Sequence, residues 1–229
     1  MVKNHLKRLA MPKTWTTQKK KGIMWVARVN SGTHSNEQGM PLVLVIREML
    51  KLADTAREVR NILNHKEVLV DGVRRKDSKF NIGLMDVLAI PEIKGYYRIS
   101  LNKHRKLVPI KIEEKEASSK ICTIKGKGFY QGKTQLQLSD GRVILVSKGD
   151  YKTSDALIIS IPDQKILSHI KFEKGASVMM TGGKNIGKIG TIEDIKNNVI
   201  MIKSNGETFE TLKANCFVVG KNKPAVTIE

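Results

Sequence analysis

Apolar and polar residues repeat with different periods along the chain, and the changes of period mark its parts. Between Thr55 and His65 the apolar positions Ala56, Val59 and Leu63 recur at helical spacing, while Arg57, Arg60, Asn61 and Asn64 fill the opposite face. Thr55 is followed three residues later by Glu58, a capping box, so the pattern predicts a helix starting there. Upstream, Leu42-Val43-Leu44-Val45-Ile46 is an unbroken apolar run that suits a strand or a helix. Arg47-Glu48-Met49-Leu50-Lys51-Leu52 tips it towards helix with Pro41 in the first turn, which puts Arg47 and Lys51 on one face.

Beyond this point the period shortens to two. Val68-Leu69-Val70 enters the reversal Asp71-Gly72, Val73 leads out into the basic run Arg74-Arg75-Lys76, and Gly83 to Ile90 supplies a second apolar strand. From Lys94 to Phe172 short strands follow one another. Tyr96 to Leu101 and Leu107 to Ile112 flank the basic loop Asn102 to Lys106, which could touch phosphate or be a solvated turn. Thr134 to Leu138 is turned by Asp140-Gly141 into Val143 to Val146, and Leu157 to Ile161 pairs with Ile166 to Phe172 across Pro162-Asp163. Hairpins in series without a long helix predict a small β-barrel or sandwich. A last module opens near Glu173. Gly175 to Met180, the strand that follows Gly190 at Thr191-Ile192, Val199 to Ile202, Thr208 to Leu212 after the Asn205-Gly206 turn, and Cys216 to Val219 predict a five-strand barrel with a tail from Asn222. The expected organisation is a multidomain, mainly β chain. It has a basic arm over 1–40, a small α+β module over 41–93, a central β module over 94–172, and a C-terminal β-barrel with tail over 173–229.

Charge narrows the class of partner. The 229 residues carry 41 Lys+Arg against 22 Asp+Glu, a formal net charge of +19. Such a field attracts polyanions, either nucleic acid or an anionic membrane. The longest apolar runs, Leu42 to Ile46 and Ala156 to Ile161, are too short to span a bilayer, and no basic amphipathic helix of useful length occurs, so nucleic acid is the expected partner. Cys122 and Cys216 stand far apart, as expected of core thiols in a reducing compartment, and His5, His34, His65, His104 and His169 lack metal-ligand spacing. No zinc and no other cofactor are expected. Met1 to Ala10 lacks the apolar stretch of a signal peptide, which points to the cytoplasm.

The positive charge is concentrated at the start. Lys3, Lys7, Arg8, Lys13, Lys19, Lys20, Lys21 and Arg28 precede Glu37, the first acidic residue. Unbalanced charge of this kind reads as an extended arm ordered when phosphates neutralise it. Trp15 and Trp25 interrupt it and are expected to anchor it against protein rather than to stack on bases.

The densest glycine segment is Thr181-Gly182-Gly183-Lys184-Asn185-Ile186-Gly187-Lys188-Ile189-Gly190-Thr191-Ile192. Gly182, Gly187 and Lys188 fit a nucleotide-binding P-loop except that Ile189 replaces the hydroxyl that would ligate Mg²⁺, and strand rather than helix follows. The loop suits close approach of backbone to a sugar-phosphate chain, with Lys184 and Lys188 supplying charge; the alternative is that its glycines only serve tight turns. Catalytic constellations are not found. Glu113, Glu114 and Glu116 alternate with Lys115 as in a solvated polar linker, and Asp140, Asp150, Asp155 and Asp163 sit at turn signals, where Asp bonds its own backbone.

Three stretches carry family resemblances. Val178 to Ile195, with Gly190 between apolar residues, resembles the KOW module, a small β-barrel of ribosomal proteins and transcription factors. Val68-Leu69-Val70-Asp71-Gly72 with Gly83-Leu84-Met85-Asp86-Val87-Leu88-Ala89-Ile90 resembles the RNA-binding domain named after bacterial ribosomal protein four, with Asp71 where asparagine is usual. The whole chain, through His5-Leu6-Lys7-Arg8-Leu9-Ala10-Met11-Pro12-Lys13-Thr14-Trp15, Gly83-Leu84-Met85-Asp86-Val87, Thr181-Gly182-Gly183 through Gly190 and Phe217 to Pro224, resembles the archaeal and eukaryotic small-subunit ribosomal protein four of the e type. The resemblance implies a structural, non-enzymatic role on small-subunit ribosomal RNA beside neighbouring ribosomal proteins, without membrane attachment or homo-oligomer. It points to Arg57, Arg60, Arg74, Arg75 and the arm lysines as the main contacts. Arg47, Lys51, Lys76, Lys184 and Lys188 complete the candidate set. The rival readings are a KOW-containing transcription or RNA-processing factor and an RNA-modifying enzyme, for which the modules after Ile90 leave little room. With aromatics at 5%, binding is expected to rest on phosphates and RNA shape rather than on stacked single strands.

Overall fold

The computed structural model describes residues 4–17, 23–147, 149–204 and 206–228. The chain forms two compact units, one of residues up to 100 together with 105–117, the other of 101–104 together with 118 onward.

In the first unit, β1 (Leu6–Lys7) pairs antiparallel with β2 (Trp25–Val26). The strand β3 (Gly39–Pro41) then runs directly into α1 (Leu42–Leu44), continued by a wider π-helical turn over Val45–Met49. Leu42 through Ile46 are all buried, which is why the run is apolar without a period. Pro41 stands before the helix in extended conformation, not in its first turn. Lys51 lies beyond the helix with φ of +53°, and Leu50 N–H bonds Val45 O, a spacing of five. The shared face expected for Arg47 and Lys51 assumed a spacing of 3.6 continued past Leu50, so it does not exist.

The helix α2 (Ala56–His65) begins as expected. Thr55 accepts from Glu58 N–H, Glu58 reaches back to the Thr55 N–H, and Val59 and Leu63 are buried. Then come β4 (Leu69–Val70), β5 (Val73–Arg74), β6 (Asn81–Gly83), β7 (Val87–Ile90), β8 (Gly95–Leu101) and β9 (Leu107–Lys111). The sheet order is β5-β4-β7-β8-β9, with β3 and β6 as a separate pair. Ile90 pairs with Gly95 across one short turn, Pro91–Ile93, closed by Lys94 at φ of +48°. The hairpin over 95–111, expected in the central module, is therefore hydrogen-bonded into the α+β sheet, as sequence-adjacent strands tend to be. In the acidic run that follows, Glu113, Glu114 and Lys115 are exposed as expected, but the run is not an irregular linker. It forms α3 (Glu114–Ala117), in which Glu116 is ion-paired to the fully buried Arg98 and Glu114 accepts from Tyr96 OH at 2.9 Å.

The second unit contains two five-stranded antiparallel sheets. The first is built of β10 (Ser119–Tyr130), β11 (Lys133–Leu138), β12 (Val143–Val146), β13 (Ala156–Ser160) and β14 (Ile166–Ile170), in the order β12-β11-β10-β13-β14. The N-terminal half of β10 pairs with β13 and its C-terminal half with β11, with a bulge between Ile124 and Gly126. Cys122, Ile124, Leu136, Leu138, Leu157 and Ile159 fill its core. Asp140 and Asp155 do serve local backbone, accepting from Arg142 and Lys152, yet both are buried with charged or titratable partners. The second sheet holds β15 (Ser177–Met180), β16 (Ile189–Lys196), β17 (Val199–Ser204), β18 (Glu207–Leu212) and β19 (Cys216–Gly220), ordered β18-β17-β16-β15-β19. These are the five strands expected of the last module. Of its Asn205-Gly206 turn, Asn205 lies outside the described residues.

Candidate nucleic-acid interface

The clearest exposed cationic face is built on α2 and the hairpin after it. Because Val59 and Leu63 turn inward, Arg57, Arg60 and Asn64 at spacings of three and four face solvent. Asp71 and Gly72, both at positive φ, turn β4 tightly into β5. Asp71 is buried, and its carboxylate accepts from Val87 N–H at 3.0 Å. In this chain the residue in the usual asparagine position thus fastens the turn to β7. The turn delivers Arg74, whose Nη2 donates to Asn64 O at 3.0 Å and Lys66 O at 3.4 Å, satisfying carbonyls at the C-terminus of α2. Arg74 thereby sits at the C-terminal end of the helix whose solvent face carries Arg57 and Arg60. Arg75 is half-buried with its guanidinium 4.4 Å from the centre of the Phe80 ring, and Lys76 is exposed.

The other candidates are distributed. Arg47 is paired with the neighbouring Glu48 at 2.8 Å, which offsets its charge locally, and Lys51 is exposed. In the arm, Lys7 lies 5.8 Å from the Trp25 ring centre and Arg8 Nη2 donates to Thr17 Oγ1 at 2.8 Å. Lys13 is exposed and Arg28 half-buried, while Lys3, Lys19, Lys20 and Lys21 lie outside the described residues. Anchoring by Trp15 is as expected. Only 1% of its surface is exposed, and its Nε1–H donates to Gly39 O at 2.7 Å and Asn36 O at 3.0 Å. Trp25 is instead 51% exposed and packs on His5. The loop Asn102 to Lys106 supplies a second fastening for the arm, with Lys106 Nζ donating to the carbonyls of Lys13 and Trp15 at 2.6 and 2.9 Å.

The glycine-rich loop differs from a phosphate cradle. A Cβ at Gly182 would meet Asn215 Oδ1, one at Gly187 the Asn102 carbonyl, and one at Gly190 the Ile202 side chain and Lys203 O, each within 3.0 Å. The close approach these glycines permit is to the protein's own backbone and side chains. Lys184 remains exposed beside them, and Lys188 lies 5.7 Å from the Phe209 ring centre. Gly83 and Asp86 in the other signature are also architectural. A Cβ on Gly83 would strike the His34 ring, while Asp86 accepts from Gly83 N–H at 2.8 Å and contacts His34 Nε2 at 3.0 Å.

One cationic element escaped the sequence reading: the hairpin of β10 and β11, with Lys125, Lys127 and Lys133 exposed around Phe129 and Tyr130. Its signal was Lys-Gly-Lys-Gly-Phe-Tyr from 125 to 130, where glycines interrupt the apolar alternation that marks a strand. Among the described residues no group of three or more His, Cys, Asp or Glu is placed to hold a metal ion, and no helix is long and apolar enough to cross a membrane.

A basic α+β module followed by small antiparallel sheets, with arginines and lysines on exposed faces, is the build of a nucleic-acid-binding protein. Comparison with known proteins specifies which. The family described as Ribosomal family S4e matches residues 93–166, and the S4 domain matches residues 40–88. Small ribosomal subunit protein eS4 of Methanosphaera stadtmanae is 42% identical over 99% of this chain and 96% of its own length. That of Methanocella arvoryzae is 42% identical over 99% and 98%. The crystal structure of the 30S ribosomal protein S4e from Thermoplasma acidophilum superposes with a TM-score of 0.71 at 33% identity, covering 80% of this chain and 96% of that one. The chain belongs to the small ribosomal subunit protein eS4 family.

Proposed function

We propose that the protein is a structural constituent of the small ribosomal subunit that binds and stabilises small-subunit rRNA through phosphates and shape. The observation that carries this reading to particular residues is the exposed face of α2 with Arg57, Arg60 and Asn64, at whose C-terminal end Arg74 is bonded to the Asn64 carbonyl. Guanidinium groups held on a packed helix and a tight turn meet phosphate oxygens at little cost in side-chain order. Lys76, Lys184, Lys188, Lys51, Arg75, Arg47, Arg28 and the arm cations Lys3, Lys7, Arg8, Lys13, Lys19, Lys20 and Lys21 extend the contact set, with the arm fastened at Trp15 and leaving its basic groups to RNA. The protein works without cofactor or catalysis, as a single copy in cytoplasmic ribosomes next to other small-subunit proteins. Its last module is a KOW barrel whose glycines set the loop shape while Lys184 and Lys188 supply charge. A transcription or RNA-processing factor is not favoured, because the relatives match the chain from end to end rather than in one barrel.

The test is a binding titration of the full chain against small-subunit rRNA fragments and tRNA at several salt concentrations, with co-sedimentation on ribosomal subunits. Preference for rRNA at physiological salt and migration with the small subunit are expected. Equal affinity for tRNA, or association with nascent messenger RNA, overturns the reading.

A further inference from the structure

We propose that the hairpin of β10 and β11 is an RNA-contacting finger whose tip aromatics, Phe129 and Tyr130, pack against unpaired bases. This deepens the RNA-binding reading above and rests on it.

Phe129 is 79% and Tyr130 54% exposed, although aromatic side chains are scarce in this chain. They stand at the very end of β10, where Gln131 and Gly132, at φ of +48° and +73°, reverse the chain in the geometry of a two-residue hairpin turn. Cross-strand pairing sets Phe129 opposite Thr134 and Tyr130 opposite Lys133, so successive residues present one aromatic on each face of the tip. The opposite end of the same strands is held firmly, with Ile121, Cys122 and Ile124 of β10 and Leu136 and Leu138 of β11 buried. The tip is thus an extension of a packed sheet, whose strand pairing sets the backbone that carries the two exposed rings.

Several features select the partner. On the face below Tyr130, Gly126 and Gly128 carry no side chains of their own, and the carboxamides of their cross-strand partners Gln137 and Gln135 reach towards them, Gln137 Oε1 lying 2.6 Å from where a Gly126 Cβ would be. Lys125, Lys127 and Lys133 are exposed, and no acidic residue occurs from 119 to 139. Rings flanked by lysines, in a segment without acidic residues, match a ligand that offers flat π-faces and phosphates together, which is RNA with unstacked bases. Paired A-form RNA hides its bases, so the finger meets a loop, bulge or single-stranded junction.

The test uses the full chain with Phe129→Ala and Tyr130→Ala combined, bound to small-subunit rRNA fragments across a salt series. Removing base–aromatic stacking is expected to weaken binding about tenfold to a hundredfold. The salt slope and the melting temperature should stay at wild-type values, since neither residue touches phosphate or the core. Lys127→Gln with Lys133→Gln should instead lower the slope by about 0.7 to 0.9 for each phosphate no longer neutralised. Ultraviolet irradiation of the wild-type complex should leave nucleotide adducts on Phe129 or Tyr130. Binding of the double alanine variant within twofold of wild type overturns the proposal. So does full rescue by Phe129→Leu with Tyr130→Leu in the absence of adducts, which would assign the tip to a protein. If the wild-type chain fails to prefer rRNA over tRNA, the ribosomal reading falls, and the finger is still judged by the variant's loss on whichever RNA binds.

Discussion

The ammonium of Lys120 lies 3.2 Å from Asp140 Oδ2 with both side chains almost wholly excluded from water, and Arg142 Nε approaches the same oxygen at 3.2 Å. Lys120 comes from β10, and Asp140 and Arg142 from the turn between β11 and β12, so the cluster pins that turn to the long strand. Deleting Lys120 leaves the buried Asp140 carboxylate compensated by Arg142 but without the more deeply buried ammonium. Lys120→Met alone should cost roughly 3–5 kcal/mol in urea unfolding, whereas Lys120→Met combined with Asp140→Leu should recover most of the loss.

The same carboxylate makes stability depend on acid. Burial by itself raises the Asp140 pKa, but attraction to Lys120 and Arg142, with hydrogen bonds from both, overcomes it and leaves the group below its ordinary value of 3.8. A depressed folded-state pKa contributes stability that is present above the unfolded value and lost as pH falls through the folded one. The destabilisation caused by Asp140→Asn should therefore be constant above about pH 5 and shrink as acid is added below about pH 4. Denaturant midpoints of both proteins across that range check it; a gap unchanged with acid would contradict the ion-pair account.

How far the sequence disclosed this arrangement differs by element. The helix at Thr55 was legible because capping box and apolar stripe are both local, and the turn at Asp71-Gly72 because a two-residue reversal is written in two residues. The five strands of the last module were legible for the same reason. Lys120 was not, since a lysine shortly before Lys-Gly-Lys-Gly shows nothing of burial until strand pairing brings Asp140 to it. Glu116 was misread for the same cause, its partner Arg98 lying on a strand 18 residues earlier in the chain. Of the interface, the arginines of α2 could be placed from helical spacing alone. The capping of that helix by Arg74, the fastening of the arm by Lys106 and the exposed tip at Phe129 are all products of pairing between distant segments.

The glycine loop offers a contrast that separates backbone strain from crowding. Gly187 has φ of +77°, and an added Cβ would fall within 3.0 Å of the Asn102 carbonyl, a backbone group that cannot swing aside. Gly206 has φ of +86° with nothing within 4 Å of such a Cβ. Gly206→Ala should cost about 1 kcal/mol for the left-handed conformation alone. Gly187→Ala should cost that and a further 1–3 kcal/mol or so for overpacking, visible as a clearly lower melting temperature. Equal losses at the two sites would mean that the packing against Asn102 is not tight.

Thiol chemistry should report on the integrity of both sheets in the second unit. Cys122 and Cys216 are buried and form no disulfide, and burial pushes the Cys216 thiol up to about 11. The thiolate is the reactive form, so at neutral pH almost none of Cys216 is poised to react. A chromogenic disulfide reagent should label neither cysteine of the native chain within minutes and should label both at once in denaturant. Fast labelling of one site in the native protein would reveal local opening of the sheet that contains it.

Arg57 and Arg60 on the exposed face of α2 and Arg74 at its C-terminal end differ in what else they do, and that difference makes the proposed interface testable residue by residue. Arg57 and Arg60 project from α2 into solvent, so replacing either by Gln should move stability by no more than about 0.5 kcal/mol. Each replacement should still weaken rRNA binding and lower the slope of log affinity against log salt by about 0.7 to 0.9, as expected when one phosphate is no longer neutralised. Arg74 also donates to the carbonyls of Asn64 and Lys66 at the end of α2. Arg74→Gln should therefore lose binding and, in addition, about 1 kcal/mol of stability. Arg74→Lys keeps the charge but lacks the planar fork that spans two carbonyls, so it should restore much of the salt slope and little of the stability. Parallel urea titrations and salt-dependent RNA titrations of the four variants separate these outcomes. A set in which all four bind rRNA as tightly as wild type would remove the α2 face from the interface.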